Sequence, residues 1–220
     1  MRKKYNYRKL RPREYSYINR FLDDIHRAAV FYEATFVNKK VTFYTAKTSI
    51  TVIASVTNFM HLCGISYLRG SKNFFLSAKY RKIDLDKVLI KKDGTTFQKL
   101  QVLSAFPELI SGNVRLTGRG RFLVLDYDYA LRTSRQLLAL TLINQSAKAI
   151  PQSLLNLHKK MFEKGASVVR IESQDFNSDQ ITVLFEEQSK KDKDLSLSFL
   201  LHFSFSVKLV TFSISNVLFV

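Results

Sequence analysis

The sequence predicts an α+β fold in which N-terminal helices are followed by a mainly antiparallel β-sheet. Three observations carry this. Apolar residues early in the chain recur every three or four positions, the period of a helix with one buried face. From Asn113 onward the apolar period is two, which suits strands with one buried side. The two patterns come in blocks rather than in strict alternation, as they do when helices and an antiparallel sheet are segregated. The 220 residues suffice for one domain with a real core, and an apolar share of 46% excludes a disordered polyelectrolyte.

Residues 1–13 form a basic arm, in which Arg2, Lys3, Lys4, Arg8, Lys9, Arg11 and Arg13 surround Tyr5 and Tyr7. Such an arm suits a phosphate backbone, with tyrosines free to stack on bases; the alternative is a solvated, frayed terminus. From Glu14 to about Lys39, Tyr17, Phe21, Ile25, Ala28 and Tyr32 make a helical stripe, with His26 beside it as a helix-surface histidine. Val41 and Phe43, then Ile50 and Val52, mark two strands around the polar TAKTS turn. The stretch from Ser71 to Ile110 reads as helices broken at Asp93–Gly94 and ended by Pro107, with Phe97, Leu100, Leu103 and Leu109 as a core stripe.

The strand-like runs are NVRLT, RFLVLDYD, QLLALTLINQ, ASVVRIES and QITVLFEE. Between the first two, LTGRGRF reads as a tight hairpin, and its Arg119 and Arg121 could also hold a phosphate, since guanidinium presents paired donors. The charge run KKDKD marks a boundary, giving a main domain at 14–189 and an atypical apolar tail at 190–220. Within the tail, apolar residues alternate from Leu195 to Leu209, a strand period that implies one or two added strands or a poorly integrated segment. The run after KKDKD is also long enough to span a membrane, so that reading stays open, although membrane association is not the expectation.

Thirty-five Lys and Arg against 18 Asp and Glu give a net charge of +17, which predicts a polyanionic partner, nucleic acid first and an anionic membrane surface second. The single cysteine, Cys63, excludes an internal disulfide and a cysteine-based zinc site, and fits a reducing, cytoplasmic location. No apolar stretch follows the opening MRKKYNYRKLRPREY, so no secretory leader is expected. No phosphate-loop, HExxH, G-x-S-x-G or EF-hand pattern occurs, and neither a cofactor nor a metal is expected. Ribonuclease chemistry without a metal needs only a base for the 2′-hydroxyl, an acid for the leaving oxygen and cations for the charge on phosphorus. Histidine suits both proton roles. His61, in NFMHLCGI, is the candidate; its bland alternative is a polar side chain satisfied at the edge of a core. His158 reads as a surface residue beside two lysines, and His202 lies in the tail.

The order of NFMHLCGI, LDKVLIKKDGTTFQKLQVL, an R-x-R-F-L-V-L-D strand and AIPQSLLNL resembles the phage-associated branch of the barnase–EndoU–colicin–RelE-like nucleases, most of all the fourth phage family of that group. The resemblance spans roughly residues 30–186 and leaves out the arm and the tail. It implies helices ahead of a four-stranded antiparallel sheet and a metal-independent endoribonuclease carried by a phage or mobile element, an RNA-cleaving toxin or effector. Its partners would be RNA, such as tRNA or another structured RNA, and a cognate inhibitor. The family's His-Leu-x-Gly element falls on His61, Leu62 and Gly64, with Cys63 where a small residue, often Thr, is expected; its Pro-x-Ser-Leu-Leu element falls on Pro151, Ser153, Leu154 and Leu155. The resemblance thus makes His61 and Ser153 the candidate catalytic residues and predicts that they approach one basic cleft. Lys79, Arg81, Arg119 and Arg121 are the candidate substrate-binding residues on charge alone, without a motif match. The alternatives are a non-enzymatic basic nucleic-acid-binding or phage interference protein and, third, a membrane-surface protein.

Overall fold

The computed structural model describes residues 6–133, 135, 137–146, 148–157 and 164–187. The chain divides into two units, residues 1–186 and 187–220, and the described helices and strands all belong to the first. The expectations for Arg2, Lys3, Lys4 and Tyr5, for His158, and for the tail with His202 lie outside the described residues.

The N-terminal segment is built into the fold where it is described. Strand β1 (Tyr7–Lys9) precedes helices α1 (Pro12–Asn19) and α2 (Leu22–Phe36), so the single helix expected from Glu14 to Lys39 is two, separated at Arg20–Phe21. Pro12 starts α1 where its missing N–H costs nothing. Glu14 accepts from the Arg11 N–H at 2.8 Å and pairs with Arg8 at 2.6 Å, which ties the strand to the helix. The TAKTS hairpin forms as expected between β2 (Lys39–Thr45) and β3 (Ser49–Ile53).

Helix α3 (Val56–Leu62) leads into β4 (Ile65–Tyr67), α4 (Ser71–Lys79), β5 (Val88–Lys91) and α5 (Thr95–Leu100), followed by a 3-10 helix at Leu103–Ile110. Two expectations for this region are corrected. VLIK is a strand, because it pairs with β4 on one side and β1 on the other in a three-stranded sheet. Pro107 sits inside the 3-10 helix instead of ending it.

The remaining strands are β6 (Val114–Thr117), β7 (Gly120–Phe122), β8 (Leu125–Tyr127), β9 (Tyr129–Thr133), β10 (Leu138–Gln145), β11 (Lys148–Asn156), β12 (Ala166–Asp175) and β13 (Ile181–Glu186). RFLVLDYD is therefore not one strand. Its β7 and β8 form their own hairpin, which turns at Leu123 and Val124, with Leu123 at φ 56°. The main sheet runs β13-β12-β2-β3-β11-β10-β9-β6, and a further pairing of β6 with β12 closes seven of these strands into a barrel. All its pairings are antiparallel except β3 with β11, which meet in parallel at Val52 and Ala149. The predicted order of helices and then a sheet is thus corrected in part: the early hairpin β2–β3 belongs to the same barrel as the late strands, and the sheet is larger than the four strands that the resemblance implied.

Helix α2 organises the helical layer. Ile25, Ala28, Ala29, Tyr32 and Phe36 are buried along one side, as the spacing requires. Tyr32 stacks with Phe106 and packs at a tilt against Phe36 and Phe59, and its hydroxyl donates to the Ser55 carbonyl at 3.0 Å. That bond fixes the residue from which α3 starts. His26, beside the stripe, has Nδ1 3.2 Å from the Ala78 carbonyl of α4.

Candidate functional site

Helix α3 is short and depends on its ends. At its start the Ser55 hydroxyl accepts from the Thr57 N–H at 3.3 Å, and the Asn58 side chain accepts from the Ser55 N–H at 2.8 Å, a reciprocal cap. At its end Gly64 takes φ 68°, which a side chain adopts only with strain. Gly64 is also constrained by space: a Cβ there would lie 2.8 Å from Lys99 Cδ and 3.1 Å from Thr96 Cα of α5. The glycine of His-Leu-x-Gly therefore lets α5 pack directly on the end of α3.

Helix α5 is placed just as tightly. Asp93 accepts from the Thr95 N–H at 3.0 Å and the Thr95 hydroxyl at 2.7 Å, after Gly94 has turned the chain at φ 79°. The buried Thr96 hydroxyl donates to the Gly64 carbonyl at 2.6 Å and accepts from the Lys91 N–H at 2.9 Å. One hydroxyl thus joins β5, α5 and the α3–β4 turn.

The Pro-x-Ser-Leu-Leu element lies on β11, at an irregularity in its pairing with β10. Thr141 is opposite Ser153, yet Leu142 is opposite Pro151, so Gln152 is an extra residue. Such a bulge re-aims side chains and is common beside active sites. Gln152 Nε2 donates to the Asp126 carbonyl of β8 at 3.1 Å, and the Asn58 side chain donates to the Pro151 carbonyl at 3.5 Å. The bulge is thereby tied to the β7–β8 hairpin and to α3. A cavity of about 410 Å³ includes Ser55, Thr57, Asn58 and Ile150 in its lining; another of about 370 Å³ is lined by Arg119, Gly120, Asp126, Tyr127, Asp128 and Ile143.

The two motifs meet through a residue that neither contains. Lys99 Nζ donates to the His61 main-chain carbonyl at 3.0 Å and to Ser153 Oγ at 2.8 Å. His61 is exposed, whereas Lys99 and Ser153 keep only 6% and 8% of their surface. Burial draws the Lys99 ammonium from 10.5 down to about 7, helped by the charge of Lys91 and opposed by Cys63 and Asp93. Cys63 is fully buried, and burial pushes its thiol well up despite Lys99, which makes it a packing residue and a poor nucleophile.

Lys99 has a signal in the sequence that its charge hides. Thr96, Lys99, Leu100 and Leu103 are all buried and follow helical spacing, so a lysine stands on the apolar stripe. A lysine at such a position is either satisfied by hydrogen bonds or neutralised.

The four cations chosen on charge are each paired with a carboxylate. Lys79 reaches Glu33 at 2.7 Å, and Arg81 binds Asp23; both pairs link the end of α4 to α2. Arg119 reaches Asp128 at 3.1 Å and Arg121 reaches Asp126 at 3.4 Å on the hairpin beside Gln152. Only the hairpin pair therefore lies next to the bulge through a hydrogen-bonded link; Lys79 and Arg81 have their partners on the helical layer. Among the described residues no group of three or more His, Cys, Asp or Glu is placed to hold a metal ion, and no helix is long and apolar enough to cross a membrane.

A family model described as phage-Barnase-EndoU-ColicinE5/D-RelE like nuclease4 matches residues 24–200. The match is wider than the 30–186 expected from the motifs, and it corrects the expectation that the similarity stops before KKDKD. Comparison with curated proteins and with solved structures finds no match.

Proposed function

Because the chain belongs to the phage-Barnase-EndoU-ColicinE5/D-RelE like nuclease family, we propose that it is an endoribonuclease that cuts RNA by acid–base transesterification without a metal ion. Family membership supports a nuclease with a nucleic-acid substrate; RNA, the mechanism and the role as a toxin or effector of a phage or mobile element are our reading. The observation that carries it is the convergence of two motifs distant in sequence on one amine, 3.0 Å from the His61 carbonyl and 2.8 Å from Ser153 Oγ.

In this reading the His61 imidazole takes the proton of a 2′-hydroxyl as that oxygen attacks phosphorus. The P–O5′ bond breaks as water protonates the leaving oxygen, giving a 2′,3′-cyclic phosphate and a 5′-hydroxyl, and the His61 imidazolium returns its proton to solvent. Ser153 holds a phosphate oxygen, and the Lys99 charge behind it favours the extra negative charge of the transition state. Arg119 and Arg121 contact the RNA backbone from the hairpin, and Lys79 and Arg81 add to the field of a chain with net charge +17.

A second reading is RNA binding without turnover. The burial of Lys99 and Ser153, and the carboxylate on each candidate cation, favour it. The test is incubation of the purified protein with total RNA and with tRNA in EDTA, beside His61→Ala. The endoribonuclease reading expects discrete fragments from the wild type and their loss in the variant. Intact RNA with both proteins, under conditions where both bind it, would leave the binding reading.

A further inference from the structure

We propose that the cavity of about 410 Å³ beside α3 is a subsite for an unpaired nucleobase of the RNA, stacked on Phe176, with neighbouring phosphates on Lys40 and Lys148. For its substrate class this rests on the nuclease reading above.

Three chain junctions build the cavity. Just past β12, the Phe176 N–H donates to the Asn38 carbonyl at 3.0 Å, and Val37 meets Ala54 in an isolated parallel bridge. Helix α3 starts directly after that bridge. Val37, Ile53, Val56 and Ile150 give the cavity apolar walls, and Phe176 joins them with 47% of its surface exposed. Asn38 also lines it, and its side-chain amide makes no hydrogen bond among the described residues. The Ser55 hydroxyl accepts from both the N–H and the hydroxyl of Thr57, so its own hydrogen is left to donate.

This lining suits a base and not a phosphate. None of the described lining residues is charged, in a chain of net charge +17. A base presents an apolar face, which stacks on an aromatic ring, and a polar edge, which an amide meets with a donor and an acceptor side by side. The cations stand at the margin. Lys40 is opposite Ile53 in the β2–β3 register, and Lys148 precedes Ile150 by two residues on β11, so each projects from the same sheet face as a lining residue. Both are exposed, and among the described residues neither has a carboxylate partner, unlike Lys79, Arg81, Arg119 and Arg121. The cavity also adjoins the candidate catalytic histidine. Its lining residue Thr57 precedes His61 by four positions, on the same side of α3 and about 6 Å along the axis, and both are exposed. A base held in the cavity thus brings an adjoining ribose toward His61, and the subsite selects unpaired RNA at the cut.

The test is the affinity of the full chain for a fluorescent, uncleavable 2′-O-methyl RNA oligonucleotide and for an abasic oligomer of the same length, across a salt series. The wild type should bind the base-bearing strand about tenfold more tightly. Phe176→Ala should lose that advantage, bind the abasic strand as the wild type does and keep the wild-type salt slope. Phe176→Tyr should restore the advantage. Asn38→Gly, which tolerates the φ of 59°, should change the ranking of strands that differ in base. Lys40→Ala and Lys148→Ala should each lower the salt slope by about 0.7. Cooperative thermal unfolding checks that each variant is folded. A Phe176→Ala protein that keeps the preference for bases, or that loses affinity equally for both strands, overturns the inference. Because neither strand can be cut, the outcome is separable from catalysis. Absent RNA cleavage with the base preference intact defeats the nuclease reading alone, and cleavage without a Phe176-dependent base preference defeats the subsite alone.

Discussion

Replacing Lys99 by Met should make the protein more stable at neutral pH and remove part of the rise in its stability with pH. The side chain is 6% exposed, and its folded value of about 7 stands against an ordinary 10.5. The folded state thus disfavours the proton by about 5 kcal/mol relative to the unfolded chain. Between pH 10.5 and 7 the unfolded state binds this proton and the folded state does not, so stability falls as pH falls; below 7 both bind it and the effect levels off. From pH 8.5 to 7 the loss is roughly 2 kcal/mol, and by pH 7 the accumulated cost is about 4 kcal/mol. Met occupies a similar volume without that cost. It gives up two hydrogen bonds, about 1 kcal/mol each, leaving a net gain of about 2 kcal/mol at pH 7. The His61 carbonyl keeps the Gly64 N–H as a partner at 3.0 Å, so it is not stranded. Urea unfolding of both proteins at pH 7.0 and 8.5 measures this. A variant less stable than the wild type at pH 7.0, or one with the same dependence on pH, would refute the account of Lys99 as a desolvated amine.

Gly64→Ala should lose about 1–3 kcal/mol in urea unfolding, since the new Cβ meets Thr96 Cα at 3.1 Å in a backbone at φ 68°; a neutral result would mean that α5 moves freely. The Arg8 guanidinium holds the Glu14 carboxyl at about 2, below its ordinary 4.5. That pair's stabilisation is present above pH 4.5 and is lost as pH falls through 2. After solvent screening it amounts to about 1 kcal/mol, which Arg8→Ala should remove when unfolding is compared at pH 5 and pH 2.5. Replacing both Arg119 and Arg121 by Ala should lower the slope of log affinity against log salt for RNA by up to about 2; an unchanged slope would mean that the hairpin does not touch phosphate.

The parts of the fold legible in the sequence are those decided locally. The β2–β3 hairpin has alternation on both sides of a polar turn, and the buried positions of α2 follow its spacing. Barrel closure was not legible, because it needs the parallel meeting of Val52 with Ala149 and the pairing of Ala166 with Leu116, contacts that no local pattern encodes. The β7–β8 turn misled for a physical reason: glycines at 118 and 120 mark a turn, but the chain reverses at the apolar, exposed Leu123 and Val124. At the site, His61 and Ser153 came from motif resemblance, whereas Lys99 required its burial to be seen. A sequence displays the charges of Lys79, Arg81, Arg119 and Arg121 and hides the carboxylates that meet them.

The chemistry of the cut ends tests the central claim most directly. RNA treated with the purified protein in EDTA should give fragments whose masses show 2′,3′-cyclic phosphate at the 3′ end and hydroxyl at the 5′ end, absent with His61→Ala. Fragments carrying a 5′-phosphate, or cleavage in the wild type that disappears in EDTA, would contradict it.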